Sequence, residues 1–445
     1  MRRGRGMSAA RASSALGTAR GRLPWICAAA GAAVVAVGLY LRRATDVVLG
    51  APYPPSFGNL EPAAHPLLAV SVPCFALAVA LAPRLLAPRL RPAAVALALL
   101  AGTLVLRLAL AAGRGGTGAW DRVFDPQRSF EAANEYLPAL PSLDYGPRFF
   151  LDRFAELVPS FPVHVAGHPP GLLLLVDALG LTTPSRFAAL CIGVGALSAP
   201  LAYGLARTLL PERTARLAGL LTAMSPGALM FGVTSADAIF CTLGLLAAWP
   251  LVAGPRRARL LGALLLALSS MLAWSLLAVG AWAVLLVLLR EGWRPALELA
   301  ASCGAVLLAF HAAVAAATGF DPVATIQATE AVYREGVASM RPYWYWVLGS
   351  PVGFLIVLGL PIAWLALREL AAGKPEAVAI FAVLAVAAMA GFTKAETERI
   401  WLFFGPFACL AAAPALAGRR RATTVVLAAL ALQALLHEAL FDTVW

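Results

Sequence analysis

Long apolar stretches recur along this sequence, and nothing else constrains its fold as much. They cover residues 24–41, 66–83, 93–112, 169–180, 187–206, 216–233, 237–253, 260–274, 276–289, 295–317, 344–366, 375–392, 399–417 and 422–440. Most approach the roughly 20 residues that an α-helix needs to cross a bilayer. Composition agrees: 61% of the 445 residues are hydrophobic and 13% are charged. A soluble domain is closer to half apolar and a quarter charged. The expected fold class is all-α, a polytopic transmembrane helical protein. A β-barrel of the outer-membrane type would need short alternating segments instead.

The net charge is +12, and all but two of the 35 basic residues are arginine, the exceptions being Lys374 and Lys394. This bias, with the abundant alanine, points to a GC-rich bacterial genome and a bacterial plasma membrane. The arginines sit in short connectors rather than on one soluble face, so they read as topology signals and not as a nucleic-acid surface. The six cysteines (27, 74, 191, 241, 303 and 409) lie in or beside apolar runs without CxxC or metal spacing, and read as packing residues.

The N-terminus carries Arg2, Arg3, Arg5, Arg11, Arg20 and Arg22 ahead of the first apolar run. That run lacks a convincing cleavage site. A retained helix with a disordered, cytoplasmic tail is the expectation. The connectors 84–91, 256–259, 290–294 and 419–421 belong on the same side by the positive-inside rule. This requires one odd segment. Residues 169–180 are too short to span, and Thr182-Thr183-Pro184 separates them from the next apolar run. If 169–206 makes one net crossing, the strong connectors all fall inside, with about thirteen crossings in total. Arg42-Arg43 remains an exception. Segments 114–168, 234–237, 318–343 and 393–399 then share the outer face.

Those segments hold the candidate chemistry. Asp121 and Asp125, in "WDRVFDPQRSF", stand four apart near the end of a helix. A partly desolvated carboxylate there has a raised pKa and can act as a general base; a solvated loop pair is the alternative. "SFEAANEYLPAL" (129–140) and "GPRFFLDRFAELV" (146–158) read as amphipathic interfacial helices. The loop ends at "HVAGHPPG", where Pro169-Pro170 stops a helix from running on through His164 and His168. Gly171 allows close approach, and His168 is expected to point into a site. Asp237, in "TSADAIF", sits in the first turn of a helix that Ser235 can cap, or contacts substrate. In "TKAETERIW", Arg399 suits bidentate phosphate binding, Lys394 adds a point charge, and Glu396 and Glu398 complete the cluster. The run "PYWYW" (342–346) is an interfacial belt or a sugar-stacking surface. Arg107, Asp177 and His311 lie within apolar runs.

In order along the chain, "FDPQRSFEAANEYLPAL", "GHPPG", "TSADAIF" and "ETERIWLFFGPF" resemble the motif order of the GT-C superfamily of polytopic glycosyltransferases. That superfamily includes protein O-mannosyltransferases, lipid A aminoarabinose transferases, and actinobacterial mannosyl- and arabinosyltransferases. The likeness covers about residues 93–417. It implies a GT-C-like module there, preceded by a basic tail (1–23) and two added transmembrane helices (24–92), and followed by a last helix and tail (418–445). It implies transfer of a hexose or pentose from a polyprenyl-phosphate donor to a hydroxyl on a glycan, lipid or protein acceptor, with inversion. Asp125 best matches the family's catalytic acid, with Asp121 second; His168, His164, Asp237, Lys394, Glu398 and Arg399 would contact substrate. Family motifs place Asp and Glu side by side, whereas Pro126 follows Asp125 here. There is no Asp-Asp metal motif, so no cofactor is expected. A transporter or flippase of a lipid-linked sugar is the other reading; it calls for an internal repeat and broken helices.

Overall fold

The computed structural model describes residues 3–443, leaving the first two and the last two residues outside. The chain is almost wholly helical, with one two-stranded sheet made by Asn59–Leu60 and Phe441–Asp442. Among the described residues, seven helices are long and apolar enough to cross a membrane, or nine if each of two bent pairs counts as one span. The helices follow the apolar runs closely, because each run specifies its own helix through local hydrogen bonds. The first, Arg3–Ala44, runs through most of the segment expected to be a disordered tail.

The stretch 169–206 holds one short helix and one long one. Gly171–Ala178 is a helix of 8 residues, while Pro184–Leu209, with 26, is long and apolar enough to cross a membrane. Gly171 donates to the Met271 carbonyl at 2.7 Å. A Cβ at that position would collide with the same oxygen, so the approach requires glycine.

Two bent pairs cross the middle of the bundle. Glu212–Met224 turns by 53° into Pro226–Thr234, and Tyr343–Leu358 turns by 115° into Leu360–Ala371. The breaks touch: the Ser225 hydroxyl donates to the Leu358 carbonyl at 2.8 Å. Gln433, from the last helix, closes the second break. Its Nε2 donates to the Ile356 carbonyl at 2.7 Å and its Oε1 accepts from the Leu360 amide at 2.9 Å. A helix broken in an apolar setting needs such substitutes for its lost backbone bonds.

One end of the bundle gathers arginine connectors. Arg216 donates to the carbonyls of Leu85, Ala87 and Leu90, and Arg290 pairs with Glu376 and donates to the Leu209 carbonyl. The other end gathers the long loops, including 45–67, and holds Arg42 over the Tyr53 ring at 4.8 Å.

The loop after Pro92–Gly115 differs from the expected amphipathic helices. Residues 129–140 form 3-10 turns, Phe130–Asn134 and part of Leu137–Leu143, because Pro138 and Pro141 deny the amides that an α-helix needs. The stretch 146–158 breaks into Pro147–Asp152 and Phe154–Leu157. Phe150 and Phe154 are fully buried against Phe161 and Phe320, so these pieces form a packed cap rather than helices floating on a surface.

Candidate functional site: a buried charge cluster under the loop cap

All four polar segments singled out in the sequence meet at the loop end. Asp237 opens the helix Asp237–Val252, and Ser235 both accepts from its amide (3.1 Å) and donates to Oδ2 (2.6 Å). The same Oδ2 takes Nη1 of Arg399 at 2.6 Å. Nη2 of Arg399 reaches Glu396 at 3.3 Å, and Glu396 in turn accepts from Arg341 at 2.7 Å. Arg341 also donates to the Lys394 carbonyl at 2.7 Å. Its pull comes after burial in order of size, but together with Arg399 it holds the Glu396 carboxyl below its usual value. Ala395 and Glu396 both take left-handed backbone (φ 64° and 59°), at roughly 1–3 kcal/mol each, held there by these bonds.

The second half of the cluster comes from the loop cap. His164 lies between two buried carboxylates, with Nε2 3.3 Å from Glu131 and Nδ1 3.4 Å from Glu135. Burial pushes the Glu135 carboxyl up, against the attraction of His164 and Arg399. One of its oxygens, Oε2, and the neighbouring Tyr136 hydroxyl have no hydrogen-bond partner among the described residues. Burial works against protonating His164, yet Glu135 and Glu131 outweigh it and raise the imidazole above its usual value. Both members of a close pair are therefore raised, and they titrate together rather than singly. His168 packs 5.0 Å from the Phe240 ring and 6.4 Å from Tyr136; burial pushes it down to about 4, leaving it neutral at pH 7.

Asp121 and Asp125 lie apart from this cluster. Arg128 bridges them, with Nη2 2.5 Å from Asp121 and Nε 2.6 Å from Asp125. The Gln127 amide, then Arg128, lower the Asp125 pKa. At Asp125 the raised value expected of a base does not arise, because its own loop supplies donors to the carboxylate.

Arg399 likewise has both ends of its fork engaged by protein carboxylates, which its sequence position did not suggest. Lys394 is less committed: its ammonium donates to the Ala338 carbonyl at 3.1 Å. Glu398 accepts from the Phe57 amide at 2.7 Å, and burial raises it to about 7. It thereby ties loop 45–67 to the site, together with Trp346, which donates to the Leu49 carbonyl at 3.0 Å.

Sequence reasoning missed Glu131, Glu135 and that loop. The two glutamates stand four apart, as His164 and His168 do, and that matched spacing was the available signal. Of the other intramembrane polar residues, Arg107 donates to Ser198 at 3.3 Å, His311 contacts the Ser270 hydroxyl at 2.9 Å, and Asp177 is exposed. Among the described residues, no three His, Cys, Asp or Glu side chains converge to hold a metal ion.

No family model, curated protein or solved structure matches this chain. The site's chemistry therefore rests on its geometry.

Proposed function

We propose that the chain is an inverting membrane glycosyltransferase. It would move a sugar from a polyprenyl-phosphate donor to a hydroxyl acceptor on the outer face of a bacterial plasma membrane, with its N-terminus in the cytoplasm. The observation that carries this reading is the buried cluster itself: a carboxyl with a raised pKa and one oxygen without a hydrogen-bond partner among the described residues, set beside an arginine–carboxylate network where the loops converge. A catalytic base works best with its pKa near the operating pH, and burial moves Glu135 in that direction. Thirteen crossings are supported by the nine spans and the three shorter apolar helices, with Arg256–Ser270 as the remaining one.

In this reading Glu135 takes the acceptor proton as the hydroxyl oxygen bonds to the anomeric carbon. The bond from that carbon to the phosphate oxygen breaks, and polyprenyl phosphate leaves with the electron pair. Lys394 meets the phosphate charge. Arg399, fixed by Asp237 and Glu396, supplies positive potential without direct contact. Neutral His168 offers a hydrogen bond to a sugar hydroxyl.

The test is transfer from labelled polyprenyl-phosphate sugars in proteoliposomes. Glu135→Gln is expected to lose activity by about 10²–10⁴-fold, and Asp125→Asn and Asp121→Asn to stay within a few-fold of wild type. Loss in Asp125→Asn with Glu135→Gln active would return the base to Asp125. No transfer by the wild-type protein from any such donor would sink the enzyme reading.

The two bent helix pairs that meet at their breaks favour a second reading, transport of the lipid-linked sugar. Both breaks are closed by protein groups, which speaks for the enzyme. Counterflow of a lipid-linked sugar without a glycosidic product would favour the transporter.

A further inference from the structure

His164 has a setting that the transfer step alone does not use. Its two ring nitrogens face two different carboxylates, Glu131 and Glu135. All three residues are under a tenth exposed, with Glu135 at 1% and Glu131 at 7%. An imidazole is the one side chain that can accept a proton at one nitrogen while releasing another from the second. Its distances of 3.3 and 3.4 Å exceed the roughly 2.7–2.9 Å of a strong charged hydrogen bond, so neither carboxylate binds it tightly.

The two ends of this row differ. Glu135 lies on the side of the arginine–carboxylate network and feels the charge of both Arg399 and Asp237. Glu131 lies toward the rim: its carboxylate accepts from Asn134 at 3.2 Å, and the adjoining Phe130 is 77% exposed. A base that is buried and has taken up a proton must release it before the next turnover. Direct release from Glu135 would cross the packed loop cap.

We propose that Glu131, His164 and Glu135 form a proton relay from the buried site to the loop rim. The inference rests on Glu135 being the base. After the transfer step, Glu135 passes its proton to Nδ1 of His164, and the proton on Nε2 passes to Glu131. Glu131 then releases it to solvent, and a flip of the imidazole ring resets the row. One proton leaves the acceptor and one reaches water; no other reagent is needed. Glu131 and His164 thus act through Glu135 as relay and positioning residues. The charged and titratable groups that interact with His164 include Glu131, Glu135, Arg399, Glu396 and His168.

The experiment measures kcat, KM and their pH dependence in proteoliposomes for His164→Ala and Glu131→Gln, beside Glu135→Gln. His164→Ala is expected to lose about 10²-fold in kcat with KM nearly unchanged, and added imidazole is expected to restore rate more strongly as pH rises through imidazole's own titration. Glu131→Gln keeps the side-chain shape and is expected to lower kcat and to reduce the solvent isotope effect. A lost packing contact would not respond to imidazole in that way, so absence of rescue in a folded His164→Ala protein overturns the relay. If His164→Ala does not fold, Glu131→Gln decides: wild-type kcat and pH profile overturn the relay. Glu135→Gln inactive with both other variants unimpaired sinks the relay and leaves the base in place. Glu135→Gln fully active removes the base and the relay with it.

Discussion

At the scale of single residues, burial decides which carboxyls matter here. Asp125 and Glu135 are both acids in the same loop, yet the first is held low by an amide and Arg128 and the second is pushed up by burial. Glu398 extends the contrast. Its carboxyl is 4% exposed, has one oxygen on the Phe57 amide and the other without a partner among the described residues, and is raised to about 7. The folded protein therefore binds this proton more tightly than the unfolded chain, whose value is near the usual 4.5. By linkage, the stabilisation is fully present below about 4.5 and is lost as pH rises to about 7, on the order of 3 kcal/mol in all. The melting temperature of the detergent-solubilised protein should accordingly rise from pH 8 to pH 5 more steeply than that of Glu398→Gln. Glutamine keeps the acceptor oxygen for Phe57 and cannot titrate. Equal slopes in the two proteins would show that Glu398 does not hold its proton. None of this was legible in "TKAETER", because a charge cluster in sequence does not reveal which members pair: Arg399 turned to Asp237, and Glu398 turned to a loop more than three hundred residues away.

At the scale of elements, the sequence was informative wherever structure is local. Past the first helix, which begins at Arg3, the apolar runs mark helix ends within a few residues, and the break at 179–183 follows from the short run and from Thr182-Thr183-Pro184. What escaped was set by packing at long range. "SFEAANEYLPAL" carries helical spacing, but its prolines and its burial against the bundle make it a row of 3-10 turns. The bends at Ser225 and Gly359 lie inside continuous apolar runs, where Pro226, and Gly359 with Pro361, are the local marks of the breaks. Gln433 is the trace they left: a polar amide in the apolar run 422–440, placed to satisfy a carbonyl and an amide that the bend exposes. Gln433→Leu removes the partner of both groups. The loss should be about 1–3 kcal/mol, read as a clear fall in melting temperature in detergent. An unchanged melting temperature would mean that the break at Gly359 finds other partners.

At the scale of the whole molecule, the small sheet constrains the topology without any counting of spans. The strand Asn59–Leu60 follows the first helix, and it pairs with Phe441–Asp442, which follows the last. In the proposed membrane arrangement Arg3–Ala44, a single helix, crosses once, so residues 45–67 sit at the end of the bundle opposite to its start. The strand after the final helix must sit there too. That arrangement therefore calls for an odd number of crossings, whichever helices are counted as spans. In the proposed orientation the arginine connectors, clustered at the opposite end through Arg216 and Arg290, face the cytoplasm as the positive-inside rule favours, and Arg42 is the exception that its stacking on Tyr53 retains. The two termini must then lie on opposite sides. A fluorescent protein that folds only in the cytoplasm should be bright when fused before Met1 and dark when fused after Trp445, and a periplasmic phosphatase should give the reverse. A bright fusion after Trp445 would break the pairing of the two strands across one membrane face. It would also remove the shared outer face on which the catalytic reading depends, because the site and that sheet lie at the same end of the bundle, joined through Phe57 and Glu398.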